Sequence, residues 1–222
     1  MLLGILKSPL PATVLAVGLA FGAVAPLPNT AAAGATQTQP RMAKASDRTG
    51  EVYLFRGILN VFSQGMDRLG ARLRDQGFQV RVLNHSSWST VAAEIAARRK
   101  DVRNPEPVFL IGHSLGADAV ILVAERLKDH EIPVALAVTF DPVHPRPAPA
   151  NIRRCVNFFQ SDNGFGAAIK PGPGFRSALV NMDLKDRRDL GHVSLDKASF
   201  LHDKVITEMM RLSRPIRRGS AG

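Results

Sequence analysis

The feature that most constrains this chain is the pentapeptide Gly112-His113-Ser114-Leu115-Gly116, because of what flanks it. Upstream, residues 108–111 are a short uninterrupted apolar run behind Asn104-Pro105-Glu106-Pro107, the pattern of a strand buried on both faces. Downstream, the chain to Leu127 reads as a helix. A Gly-x-Ser-x-Gly turn set where strand gives way to helix holds its serine in a strained backbone conformation, and the residues two before and two after it crowd unless they lack a Cβ. Gly112 and Gly116 meet that need. The turn projects the Ser114 hydroxyl away from the sheet and leaves the Leu115 N–H at a helix N-terminus, where an unpaired donor can stabilise an oxyanion. Ser114 is therefore a candidate nucleophile and Leu115 a candidate oxyanion donor.

Around this turn, strand and helix patterns alternate. The spacing predicts strands over 51–55, 78–83, 108–111, 134–140 and 155–159, and a weaker one over 178–184. It predicts helices over 64–76, with Ser63 as N-cap and Met66, Leu69 and Leu73 on one face, over 88–100, after the pentapeptide, and over 195–212. The order β-α-β-α-β-α implies an α/β fold with a mostly parallel sheet and helices on both faces. Nothing repeats at a fixed period, which argues against solenoids and propellers. Between Asp141 and Cys155 there is room for a loop but not for a cap domain.

Residues 1–35 read as an export signal: Lys7 supplies a small positive region, residues 10–24 are apolar and uncharged, and small residues at 29–35 offer cleavage after Ala33 or Ala35. The expected location is periplasmic or extracellular, with membrane anchoring as the alternative if the segment stays uncut. Residues 36–50 are expected to be a disordered lead-in, 51–213 the folded domain and 214–222 a basic tail. The formal net charge of +10 favours an anionic membrane or polysaccharide surface, and low aromatic content, with no basic run that carries interleaved aromatics, argues against a nucleic-acid platform. The one cysteine, Cys155, excludes an intrachain disulfide and reads as a small buried hydrophobe on a strand.

A serine is a weak nucleophile until a base accepts its proton and an acid orients that base. With GHSLG at 112–116 and the alternation around it, the region from 51 to 212 resembles the α/β-hydrolase superfamily on its lipase, esterase and thioesterase side. That resemblance implies the chain order Ser, acid, His, each on a loop at the carboxyl ends of parallel strands. It points to His192 as base, after the last strand, before the last helix and preceded by Gly191. His113 is the variable position of the pentapeptide and is expected to point elsewhere. His85 falls too early and lines the pocket at most. His130, His144 and His202 fall on the wrong side, too early or inside the terminal helix. Asp141, abutting the apolar strand over 134–140 and followed by Pro142, is preferred as the acid over Asp162 in a Gly-rich loop, with Asp183 a distant third.

The second oxyanion donor is expected from the loop after the first strand, where members of the superfamily often carry His-Gly. This chain has Arg56-Gly57-Ile58, so Gly57 would permit a turn that aims the N–H of Ile58 or Leu59 at the site. Arg56 is left open between a substrate anion and a surface ion pair. The resemblance implies an exported serine hydrolase that cleaves carboxylic esters of short or medium acyl groups, or of an acylated polymer, without metal or organic cofactor. A thioesterase, or a non-catalytic hydrolase-fold module binding an anionic envelope partner, are the alternatives.

Overall fold

The chain begins its sheet at β1 (Glu51–Arg56) and runs through α1 (Gln64–Asp75), β2 (Gln79–Asn84), α2 (Trp88–Arg99), β3 (Val108–His113) and α3 (Leu115–Lys128). It continues with β4 (Leu136–Phe140), β5 (Arg154–Phe159), β6 (Ala178–Asp183), a single-turn α4 (His192–Leu195) and α5 (Ser199–Leu212). This computed structural model describes residues 48–58, 63–100 and 102–216. The expected export signal, Leu59 and the final six residues lie outside them.

All six strands are parallel, in the order β2-β1-β3-β4-β5-β6. The first connection steps one way along the sheet and the next crosses back over β1, so the winding reverses between β1 and β3. In a doubly wound sheet the crevice beyond the carboxyl ends of the strands at that reversal is where a ligand can reach the fold. Here that crevice is bounded by Arg56 and Gly57 at the end of β1 and by His113 and Ser114 at the end of β3.

The strand alternation sorts side chains onto two faces. Tyr53, Phe55, Val108 and Leu110 pack with α2 and α3 residues such as Ile95, Val120 and Val123, while Val52, Leu54, Phe109 and Ile111 pack with Met66 and Leu69 of α1 and Val205 and Met209 of α5. β3 is buried along its whole length and edge strands β2 and β6 are partly exposed, which is why only the inner strands read as continuous apolar runs. Truncating one of the buried leucines to alanine would cost about 2–5 kcal/mol.

Three expectations need correction. The terminal helix is not continuous with Leu195: α4 ends there, and α5 starts at Ser199. The break at Asp196 allows its carbonyl to accept from His202 Nε2 at 2.6 Å, under a Gly65 whose missing Cβ would lie 2.0 Å from that oxygen. His192 thus opens a helical turn instead of lying in a loop. Finally, the end of the expected lead-in and the start of the expected tail belong to the fold. Thr49 donates its N–H to the Arg214 carbonyl, the Arg214 N–H returns to Thr49 Oγ1, and Arg48 bridges Pro215.

Candidate active site

The carboxyl ends of β3 and β4 place two site residues by extending the sheet ladder past its last pairs. The Ser114 N–H donates to the Phe140 carbonyl at 2.9 Å, and the Asp141 N–H to the Phe158 carbonyl at 2.8 Å. Each residue then turns sharply, Ser114 at φ 60° and ψ −128°, Asp141 at φ 50°. Of the three non-glycine residues with positive φ among the described residues, these are two, and such conformations persist only where surrounding structure enforces them. The enforcement at Ser114 is tight packing: a Cβ on Gly112 would lie 2.1 Å from the Gly116 carbonyl oxygen, and one on Gly116 would lie 2.1 Å from that of Phe55.

α4 brings in the third group. His192 Nε2 lies 3.0 Å from Ser114 Oγ, and its Nδ1 lies 2.7 Å from Asp141 Oδ2. The Asp141 carboxylate is fully buried and accepts two further hydrogen bonds, from the Gln160 N–H at 3.1 Å and from Asn163 Nδ2 at 2.6 Å. With its acceptor oxygens directed this way, Asp141 accepts a hydrogen bond from His192 Nδ1–H and leaves Nε2 to accept from the Ser114 hydroxyl. The Leu115 N–H sits in the first turn of α3, where no intrahelical acceptor exists.

Ser114, Leu115 and His192 line a cavity of about 320 Å³ whose remaining walls come mainly from Ile58, Val143, Phe165 and Val193. No Asp, Glu, Lys or Arg lines it among the described residues. Ile58, Phe165 and Val193 are each at least half exposed, so an apolar rim faces solvent around the serine. The other acid candidates stand apart: Asp162 is exposed, 3.7 Å from Arg188, and Asp183 accepts from Ser161 and the Lys185 N–H. Arg56 resolves to an ion pair, its guanidinium forked onto Asp67 in the first turn of α1. His85 does not line the cavity; His144 is held by Asp118 and His202 by Asp196.

His113 does not point away from the site. It is 1% exposed, its ring centroid is 5.1 Å from that of His192, and its Nε2 lies 2.7 Å from the His192 carbonyl oxygen. Its Nδ1 lies 2.8 Å from Ser63 Oγ, which also accepts the Gly57 N–H at 2.8 Å. Ser63 stands at the N-cap position of α1, but its hydroxyl serves this contact and not a helix N–H. Burial pushes the His113 pKa down to about 4, and burial pushes Asp196, whose carboxylate lies 3.9 Å from His113 Nδ1, up to about 7. Ser63, His113 and Asn163 are the site residues that motif reading misses. Strand parity offered a signal for one of them, since His113 continues the face of Phe109 and Ile111 toward α1 and the terminal helices.

No family model matches the chain, and no curated protein does. Among solved structures, the ydeN gene product of B. subtilis is similar at 14% identity and a TM-score of 0.47, over 73% of this chain and 100% of that one. A candidate hydrolase of the α/β superfamily from Xanthomonas campestris pv. campestris is similar at 15% identity and a TM-score of 0.42, over 73% and 98%. A candidate YdeN-like hydrolase from Pectobacterium atrosepticum is similar at 15% and 0.44, over 74% and 92%. By its own strand order, and by the strained serine turn at the end of β3, this chain has an α/β-hydrolase fold.

Proposed function

We propose that the protein is a serine hydrolase that cleaves carboxylic esters of short, apolar acyl groups, with Ser114, His192 and Asp141 as its triad. The observation that carries this reading is the unbroken chain from Ser114 Oγ through His192 to Asp141, at 3.0 and 2.7 Å. Ser114 Oγ attacks the acyl carbonyl while His192 Nε2 takes its proton, and Asp141 stabilises the imidazolium that forms. The Leu115 and Ile58 N–H groups hold the oxyanion. Collapse of the tetrahedral intermediate breaks the ester C–O bond, and the leaving alcohol takes the proton back from His192. Water, deprotonated by the same histidine, then releases the acid and restores Ser114.

The apolar, uncharged walls of a cavity of about 320 Å³ support a small uncharged acyl group over a charged or long-chain one. The loop over 142–153 adds no cap above it. Export to the periplasm or cell exterior is part of the same proposal and rests on the leader-like residues 1–35.

The first test is labelling of the folded protein with a fluorophosphonate probe, with Ser114→Ala as control and peptide mapping of the adduct. Rapid labelling at Ser114, lost in that variant and slowed in His192→Ala, is expected; folded protein that does not label at Ser114 overturns the reading. The resemblance above extends to the thioesterase side of the superfamily, so thioesters are the second substrate class. A chain-length series of activated esters beside an N-acetylcysteamine thioester ranks the two.

A further inference from the structure

The ester-cleaving mechanism leaves the buried His113, beside the site, without a role. His113 sits beneath His192 with both ring nitrogens engaged, one toward Ser63 and one toward the His192 backbone. The partners fix the direction of every hydrogen. The His192 carbonyl oxygen can only accept, so His113 Nε2 carries the hydrogen. A neutral imidazole has only one N–H, so Nδ1 is the acceptor and the Ser63 hydroxyl points at it. The Ser63 oxygen is then free to accept the Gly57 N–H. The result is a single-file chain, Gly57 N–H to Ser63, Ser63 O–H to His113 Nδ1, and His113 Nε2–H to the His192 carbonyl, at 2.8, 2.8 and 2.7 Å.

We propose that His113 is a positioning residue, which through Ser63 locks Gly57, the neighbour of the proposed oxyanion donor Ile58, to the backbone that carries His192. The inference rests on the hydrolase reading for its consequence, though its geometry stands without it. Both segments that it joins lie beyond the sheet ladder: Gly57 follows the last residue of β1, and His192 opens a helix of four residues. Neither is held by strand pairing, and catalysis needs both within a fraction of an ångström of their working positions. His113 belongs to β3, a strand buried along its whole length, and so supplies a rigid post between them. Burial keeps its ring neutral, which preserves the single direction of the chain.

Three variants in the full chain divide the relay: Ser63→Ala cuts it on the Gly57 side, His113→Asn keeps an acceptor near Ser63, and His113→Gln keeps a donor near the His192 carbonyl. Each is titrated for active sites with the fluorophosphonate probe, so that kcat is read per competent molecule and loss of folded protein drops out. In all three, kcat per titrated site is expected to fall ~10-fold or more with KM changed little, and the limb of the pH–rate profile that reports His192 is expected to move. Imidazole nitrogen NMR of the parent protein is expected to show His113 as the Nε2–H tautomer, uncharged from pH 6 to 8.

A role in folding alone predicts fewer titratable sites with unchanged kcat per site and an unmoved pH limb, and that result overturns the proposal. So does an Nδ1–H or charged His113 in the parent. Should the folded parent not label at Ser114, the ester-cleaving reading falls by itself. The relay is then judged by whether Ser63→Ala displaces the His192 ring resonances, and undisplaced resonances overturn it.

Discussion

The ring of Phe165 lies stacked on that of His192, with centroids 4.2 Å apart and planes inclined by 23°. Phe165 is half exposed, and its loop is tied to the Asp141 carboxylate because Asn163 Oδ1 accepts the N–H groups of Phe165 and Gly166 while its Nδ2 donates to Asp141. One side of the cavity is thus an aromatic face anchored to the acid. Phe165→Ala is expected to raise KM for short-chain esters ~2–10-fold, the worth of one aromatic contact, and to improve the relative rate on bulkier acyl groups. A set of p-nitrophenyl esters of increasing chain length and branching measures both.

Asn163 is expected to matter through Asp141. Its 2.6 Å hydrogen bond to the carboxylate is charge-assisted, and Asn163→Ala removes it while also loosening the Phe165 loop. The expected outcome is a fall in kcat of ~10–100-fold, with Ser114 still labelled by the fluorophosphonate but more slowly. Unchanged kinetics in this variant would separate the loop from the acid.

Gly57 is a test of the crowding beside Ser114. A Cβ there would lie 2.9 Å from Ser114 Cβ and 3.2 Å from the His113 carbonyl oxygen, so Gly57→Ala must displace the serine turn or the loop. A displacement near 1 Å costs about 100-fold in rate, and kcat/KM is expected to fall by that order while the unfolding midpoint changes little. Steady-state kinetics beside a thermal melt distinguishes a misplaced site from a damaged fold.

Asp196 and His113 pull the stability in opposite directions over nearly one pH range. The carboxyl, raised to about 7 by burial, favours the folded state when protonated, so its contribution is lost as pH rises from about 4 to 7. The imidazole, lowered to about 4 by burial, favours the folded state when neutral, so its contribution is lost as pH falls from 6.5 to 4. Each is worth about 3–4 kcal/mol by its shift, and together they nearly cancel between pH 4 and 6.5. Asp196→Asn is expected to stabilise the protein relative to the parent at pH 8 by ~2–4 kcal/mol, with the difference vanishing near pH 4. Urea unfolding of both proteins across pH 4.5–8.5 reads the slope directly.

Much of this arrangement was legible in the chain itself, and the reasons are local. The inner strands are buried on both faces, so 108–111 and 134–140 appear as bare apolar runs, and the GHSLG turn declares its own context. Asp141 and Asp162 were harder to separate, because both follow strands and the deciding fact is a backbone turn at φ 50° that sequence spacing does not encode. Ser63 was read through the strongest local rule for a serine before a helix, yet a long-range acceptor on His113 outcompeted the cap. His113 was misjudged because the motif treats its position as variable, whereas strand parity points its side chain toward the terminal helices. The single-turn α4 followed no pattern at all, since four residues carry no periodicity.

The serine turn has one more implication. At φ 60° and ψ −128° the backbone of residue 114 occupies territory where glycine rests easily and a side chain does not. Ser114→Gly should therefore yield an inactive protein that resists denaturation better than its parent, by ~1 kcal/mol or more. The conformation that brings the Ser114 hydroxyl to within 3.0 Å of His192 Nε2 is thus one that its own main chain disfavours, so local stability and the proposed chemistry pull residue 114 in opposite directions.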